Sequence, residues 1–249
     1  MINYVIYSNT DYLDVLTIQT DHVHGLGHTT LFINQNDLDM SEIYSKYDKV
    51  IFYNNNDAYA KRLLTCVNQL DMDYFLLVHD IDIVVNVEGY TISKLFDYMQ
   101  KENVDRIDLK FAEKTYSSIP FSDDLYLVKQ LDTNNFIYNV NPSIWRKSAL
   151  TDVLSKFHYK SYRTIEDMDV QSYCNKFKVF KLHSSQKMSC GYFNCVIPFM
   201  FLHISHSGKL LPLTNDFVTV YGQSYADVSE KYIDIVNKYN LKSSNKWIQ

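Results

Sequence analysis

The chain has 249 residues, 46% of them hydrophobic, and a formal net charge of −5. That length and apolar content suit one large α/β domain spanning residues 1–249. The acidic balance and scattered lysines exclude the basic face of a nucleic-acid binder, and no run approaches the roughly 20 apolar residues of a membrane span.

Taken in chain order, Tyr4–Tyr7 reads as a strand ending in the polar turn Ser8-Asn9-Thr10. Tyr12, Leu13, Val15 and Leu16 then have the spacing of a short helix. Thr30–Ile33 and Lys49–Tyr53 are the next strands, and Ala58–Leu70 has helical spacing, with Leu63, Leu64, Val67 and Leu70 on one side. Phe75-Leu76-Leu77-Val78 is apolar on both faces, as a strand at the centre of a parallel or mixed sheet must be. This βαβαβ rhythm over residues 1–100 predicts a doubly wound half with a mainly parallel mixed sheet flanked by helices.

The second half, residues 101–249, reads less regularly. Arg106–Phe111, Leu125–Leu131 and Phe136–Val140 are expected strands, and Pro142-Ser143 is expected to open a helix running through Trp145 to Phe157. Thr164-Ile165-Glu166-Asp167 leads into a second helix ending near Phe177. Val179–Leu182 and Tyr192–Ile204 return to strand character, and Tyr225–Tyr239 forms an amphipathic helix.

The chemistry concentrates at Asp80 and Asp82, one residue apart at the end of the Phe75–Val78 strand. Asp-x-Asp also occurs at Asp37/Asp39, Asp71/Asp73 and Asp167/Asp169, but only the Asp80 pair follows directly on a buried strand. Open α/β sheets bind ligands at that edge. Two hard oxygen donors there suit Mg²⁺ or Mn²⁺, with water and the phosphates of a nucleotide completing the shell. The bland reading of the same residues is a solvated turn. His22, His24 and His28 are read as a loop and not as a metal cluster.

The N-terminus, beginning Met-Ile-Asn-Tyr-Val-Ile-Tyr, lacks the basic and long apolar segments of a secretory signal. Cys66, Cys174, Cys190 and Cys195 contain no C-x-x-C pair and read as reduced, mostly buried thiols. A cytoplasmic location is the expectation.

Phe52-Tyr53-Asn54-Asn55-Asn56-Asp57-Ala58-Tyr59-Ala60-Lys61-Arg62-Leu63, the Asp80 segment, Asn141-Pro142-Ser143-Ile144-Trp145-Arg146 and Ile165-Glu166-Asp167 together resemble the GT-A fold of nucleotide-sugar-dependent glycosyltransferases. They are similar in particular to small enzymes of large DNA viruses, for which the location would be the host cytoplasm, and of bacterial surface-polysaccharide clusters. The resemblance implies transfer of a sugar from a nucleotide-diphosphate donor, commonly a UDP-sugar, to a glycan or glycoprotein acceptor, with Mn²⁺ or Mg²⁺ as cofactor. No Gln-x-x-Arg-Trp motif is present, which points to single addition.

It further implies a nucleotide-binding half at residues 1–100, an acceptor-binding half at residues 101–249, and roles for individual residues. Asp82 matches the metal-binding position, and Asp80 the position that touches the metal, ribose or sugar. Ser8, Asn9 and Thr10 lie where the nucleoside is held, with Asp57, Tyr59 and Arg62 following the third strand toward the donor. Asp167, with Glu166 second, matches the carboxylate base of an inverting transferase; helix capping is the structural alternative. His203, preferred over His206, would complete the metal shell, Lys209 would meet the diphosphate, and Trp145 would form an aromatic wall. Two other classes remain open: a haloacid-dehalogenase-like phosphatase with Asp80 as nucleophile, and a non-catalytic sugar-nucleotide-binding module.

Overall fold

The computed structural model describes residues 2–130, 137–189, 194–196, 199–203, 205–206, 209–210 and 229–240. Its first half is a parallel sheet in the order β3 (Lys49–Tyr53), β2 (His28–Asn34), β1 (Asn3–Tyr7), β4 (Tyr74–His79). Alternation of side chains across each strand buries both faces. Tyr4, Ile6, Leu31, Ile33, Leu76 and Val78 point into one core, and Val5, Tyr7, Phe32, Phe75 and Leu77 into the other. The continuous apolar runs in the sequence follow from this two-sided burial.

Helices cover each face. The first core receives Val15, Leu16 and Ile18 of α1 (Leu13–Val23), which follows a single 3₁₀ turn at Thr10–Tyr12. A four-residue helix, α2 (Ser41–Tyr44), precedes β3. The second core receives Ala60, Leu63, Cys66 and Val67 of α3 (Tyr59–Asn68).

Two elements beyond β4 depart from the expected pattern. The chain turns at Asp80-Ile81 and continues as β5 (Asp82–Val87), and α4 (Gly89–Glu102) then buries Ile92, Leu95 and Met99 in the first core. The i, i+3, i+7 spacing of those residues is the helical signal. The helix stops at Asn103, whose φ of 52° is left-handed, and the Val104 amide bonds the Met99 carbonyl.

The helix expected to open at Pro142 is a strand at first. β9 (Ser143–Arg146) runs antiparallel between β4 and β6 (Arg106–Phe111), and α5 (Lys147–Lys156) begins only after it. Ile144 and Trp145 face opposite cores, so the segment is buried as a strand in spite of the helix-start signal at Pro142. The strand expected at Phe136–Val140 is also absent: residues 137–140 are irregular, and Phe136 lies outside the described residues. Their backbone bonds go to side chains instead of a ladder, as described below.

The sheet continues through β10 (Val179–His183), parallel to β6, and then β8 (Tyr126–Lys129) and β7 (Ile119–Pro120), both antiparallel. α6 (Met168–Cys174) is shorter than expected and α7 (Ser229–Lys238) lies within the expected range. β11 (Lys187–Ser189) and β12 (Asn194–Val196) pair with each other, and β12 joins β13 (Phe199–His203) to β6. β13 lies antiparallel to β5 with His203 opposite Asp82. β14 (Ser205–His206) and β15 (Lys209–Leu210) form a separate hairpin. Among the described residues no helix is long and apolar enough to cross a membrane.

Candidate active site

Four parallel strands end at one edge, and the polar residues at and just beyond their ends bond to one another. The Ser8 hydroxyl donates to Asp80 Oδ2 at 2.5 Å, while its carbonyl accepts from the Tyr53 hydroxyl at 2.6 Å. The Thr10 amide donates to Asn34 Oδ1, and Asn34 returns a bond to Thr10 Oγ1. Asn9 Nδ2 donates to Asn55 Oδ1 at 3.0 Å. This apron of hydroxyls and amides stands where an open α/β sheet takes its ligand. Asn34 was not anticipated; its place at the end of β2, next to β1, was the available signal.

Asp80 stands in the turn after β4 and Asp82 opens β5, 6% and 4% exposed. Asp80 also accepts the Ile81 amide on Oδ1. Burial pushes its pKa up to about 7, with the Asp82 charge adding and the bonds from Ser8, Ile81 and Asn9 opposing. Gln19 of α1 holds the next strand in place, donating to the Asp82 carbonyl at 3.0 Å and accepting from the Val84 amide at 2.9 Å. Two carboxylates buried together are costly without a cation, and their oxygens fit a hard divalent ion.

His203 is brought to this pair, but as a hydrogen-bond partner. Its Nδ1 lies 2.6 Å from Asp82 Oδ1, which leaves no room for an ion between them. The expected three-ligand set is therefore not assembled: among the described residues no group of three His, Cys, Asp or Glu side chains is arranged around a common point. In this arrangement His203 orients the carboxylate that would bind the metal.

On the other side of Asp80, His79 is buried with Nε2 2.8 Å from the Tyr59 hydroxyl. Burial lowers its pKa to about 4, so it is neutral at pH 7. Tyr59 thus works inward, beneath the site. Tyr162 stacks edge-on to Tyr59 with ring centroids 5.2 Å apart and stands 5.9 Å from the His79 ring. It retains 43% of its surface exposed. The phenol is raised well above its usual range by burial first, and then by the charges of Asp82, Glu166 and Asp80. Tyr162 therefore packs on the residue before Asp80, within electrostatic reach of the carboxylate pair and of Glu166, a placement that no local motif signalled.

The adjacent carboxylates Glu166 and Asp167 have different surroundings. Glu166 is half-buried, and its Oε1 accepts the Val140 amide at 2.7 Å. Burial raises its pKa, with the Val140 bond and then Arg106 and Lys110 opposing. Asp167 caps α6 by position with no side-chain cap bond; its exposed carboxylate pairs with Lys160 at 3.0 Å. Lys160 also reaches Asp169 at 3.0 Å.

The remaining candidates divide. Arg62 donates to the carbonyls of Asp57, at 2.6 Å, and Asn55, so its fork closes the loop before α3. The Asp57 carboxylate pairs with Lys61 instead. Trp145 is corrected outright. It is 2% exposed, on β9 beside Phe75, with the Arg106 guanidinium 4.8 Å above its ring, and it cannot line an open cleft. Lys209 pairs through its backbone with His206; the side chains of both lie outside the described residues. Cys66 and Cys174 are buried free thiols, as expected, while Cys190 and the side chain of Cys195 are outside the described residues.

No protein-family model and no curated protein matches this sequence. Among solved structures, S. aureus TarS 1–349 superposes with a TM-score of 0.50 at 15% identity, over 75% of this chain and 59% of that one. A longer S. aureus TarS structure gives 0.51 at 14% identity, over 99% of this chain and 41% of that one. The 4-diphosphocytidyl-2C-methyl-D-erythritol synthase of Anaerococcus prevotii gives 0.48 at 17% identity, over 74% and 89%. This chain spans less than two thirds of either TarS chain. What it shares with TarS is a Rossmann-like α/β fold of the GT-A kind.

Proposed function

We propose that the protein is a metal-dependent glycosyltransferase that moves a sugar from a nucleotide-diphosphate donor, a UDP-sugar by resemblance, to a glycan acceptor. The observation that carries the reading is the pair of buried carboxylates, Asp80 and Asp82, at the sheet edge, with Tyr162 packed on His79 next to Asp80 and within electrostatic reach of the half-buried Glu166. The shared fold with TarS supports it at the level of architecture.

Asp80 and Asp82 would hold Mn²⁺ or Mg²⁺, which when bound offsets the diphosphate charge and stabilises it as a leaving group. His203 keeps Asp82 in place and Ser8 keeps Asp80. The apron at the ends of β1 to β3 offers donors and acceptors for the nucleoside. Glu166 would act as the base: it takes the acceptor hydroxyl proton as that oxygen bonds the anomeric carbon. The bond from that carbon to the diphosphate oxygen breaks, and its electron pair leaves with the diphosphate. Asp167 is less suited, because Lys160 already holds its charge and solvent surrounds it.

Calorimetry of UDP binding with and without Mn²⁺, on wild type and Asp82→Asn, tests the donor site. Mn²⁺-dependent binding that disappears in Asp82→Asn is expected; binding that ignores both the metal and the substitution would remove the reading. Phosphate release from p-nitrophenyl phosphate would instead favour a phosphatase built on Asp80.

A further inference from the structure

A buried ionic cluster lies behind Glu166, and the mechanism above does not use it. Arg106 is fully buried, with Nη2 donating to Asn139 Oδ1 at 2.5 Å, to the Asn139 carbonyl at 3.3 Å and to Ser143 Oγ at 3.2 Å. Nη1 donates to the Ile137 carbonyl. Asp108 balances the charge at 3.5 Å and itself accepts Asn139 Nδ2 at 2.7 Å. A buried charge set of this kind is a poor source of stability compared with apolar packing. Its geometric effect is specific: it claims the backbone of residues 137–139, which belong to no strand.

Gln171 of α6 grips the same segment from the opposite side. It accepts the Tyr138 amide at 2.9 Å, donates to the Tyr138 carbonyl at 2.7 Å, and reaches the Glu166 carbonyl at 3.1 Å. The segment so clamped ends in the Val140 amide, which donates to Glu166 Oε1. Backbone of irregular shape ordinarily samples many conformations. Here two buried anchors fix the one N–H that orients the carboxylate.

We propose that Arg106 and Gln171 are positioning residues for Glu166, locking Oε1 through the Val140 amide and leaving Oε2 to take the acceptor proton. This rests on the glycosyltransferase reading for its purpose, but the geometry can be tested without any sugar donor. Neither residue touches Asp80, Asp82 or the apron in the hydrogen bonds described, so Mn²⁺-dependent UDP binding reports on the donor site separately.

The experiment is NMR on the full chain, following amide exchange at Val140 and the carboxyl titration of Glu166 in wild type, Gln171→Met and Arg106→Lys. Loss of one anchoring hydrogen bond should raise Val140 exchange about tenfold. In Gln171→Met the Glu166 titration should also move upward, because the N–H that favours its charged form is released. Arg106→Lys keeps the charge but not the fork, so Val140 exchange should rise while the Glu166 titration moves less. If Arg106→Lys does not fold, Gln171→Met alone decides. Unchanged Val140 exchange and Glu166 titration in a folded Gln171→Met protein would overturn the proposal and reduce the cluster to core structure. Loss of UDP binding in wild type would remove the glycosyltransferase reading and leave this result standing.

Discussion

The proposed donor edge and the proposed base are built by different means. On the β1 to β4 side, the backbone does the positioning: parallel strands in register deliver Ser8, Asn34, Asn55 and Asp80 to one edge, and short bonds tie them together. On the Glu166 side, β9 reverses the direction of the sheet and residues 137–140 leave it altogether. Side chains from three elements then hold the loop. A site half made from a regular sheet tolerates surface change, whereas a half made from a clamped loop depends on each anchor.

That contrast can be broken most severely at the two carboxylate positions. Glu166→Gln should lower turnover by roughly 10² to 10⁴ while donor binding persists, because Gln still accepts the Val140 amide but cannot take a proton. Asp167→Asn, by the same assay, should stay near wild type; the opposite pattern would return the base to Asp167. Asp82→Asn should reduce Mn²⁺-dependent UDP affinity by about 10² or more in calorimetry, in line with losing a metal ligand.

A smaller effect, on stability, separates core from cleft. Trp145→Ala should destabilise the fold by about 3–5 kcal/mol in denaturant melts, with UDP affinity unchanged in the folded fraction. If Trp145 lined the donor site, affinity would fall and stability would not. The pH profile sharpens the comparison further. Glu166 has a raised pKa, so the acid limb of kcat should lie above the usual Glu value of about 4.3 and vanish in any residual activity of Glu166→Gln. By linkage, a raised native pKa contributes stability at low pH that is lost as pH rises through it. Glu166→Gln should therefore gain stability relative to wild type on going from pH 4 to pH 8. The weakest perturbation is Lys160→Ala, which removes the pairs with the solvent-facing carboxylates of Asp167 and Asp169, measurable as a small shift in Tm with no change in turnover.

Much of the donor half was legible from residue order. The strand at Lys49–Tyr53 coincides with the observed one, as does Arg106–Phe111 in the second half, and the Asp80/Asp82 pair sits at the sheet edge as the apolar run before it implied. These depend on local alternation and on a buried strand ending in charge, which neighbouring residues suffice to encode. α4 was equally encoded, by Ile92, Leu95 and Met99, and went unread beside the stronger strand signal.

The rest was settled by pairings between distant parts of the chain. Asn-Pro-Ser before Ile144-Trp145 is a sound helix start locally, yet β4 and β6 offer open ladders on both sides, and the hydrogen bonds and two-sided burial gained there decide for a strand. His203 meets Asp82 across 121 residues, and only the β5·β13 register makes it a bond to the carboxylate. Glu166 and Asp167 are neighbours in sequence with the same charge. They differ because one turns toward the Val140 amide and the other toward Lys160 and water, and side-chain environment of that kind is a property of packing that residue order does not carry.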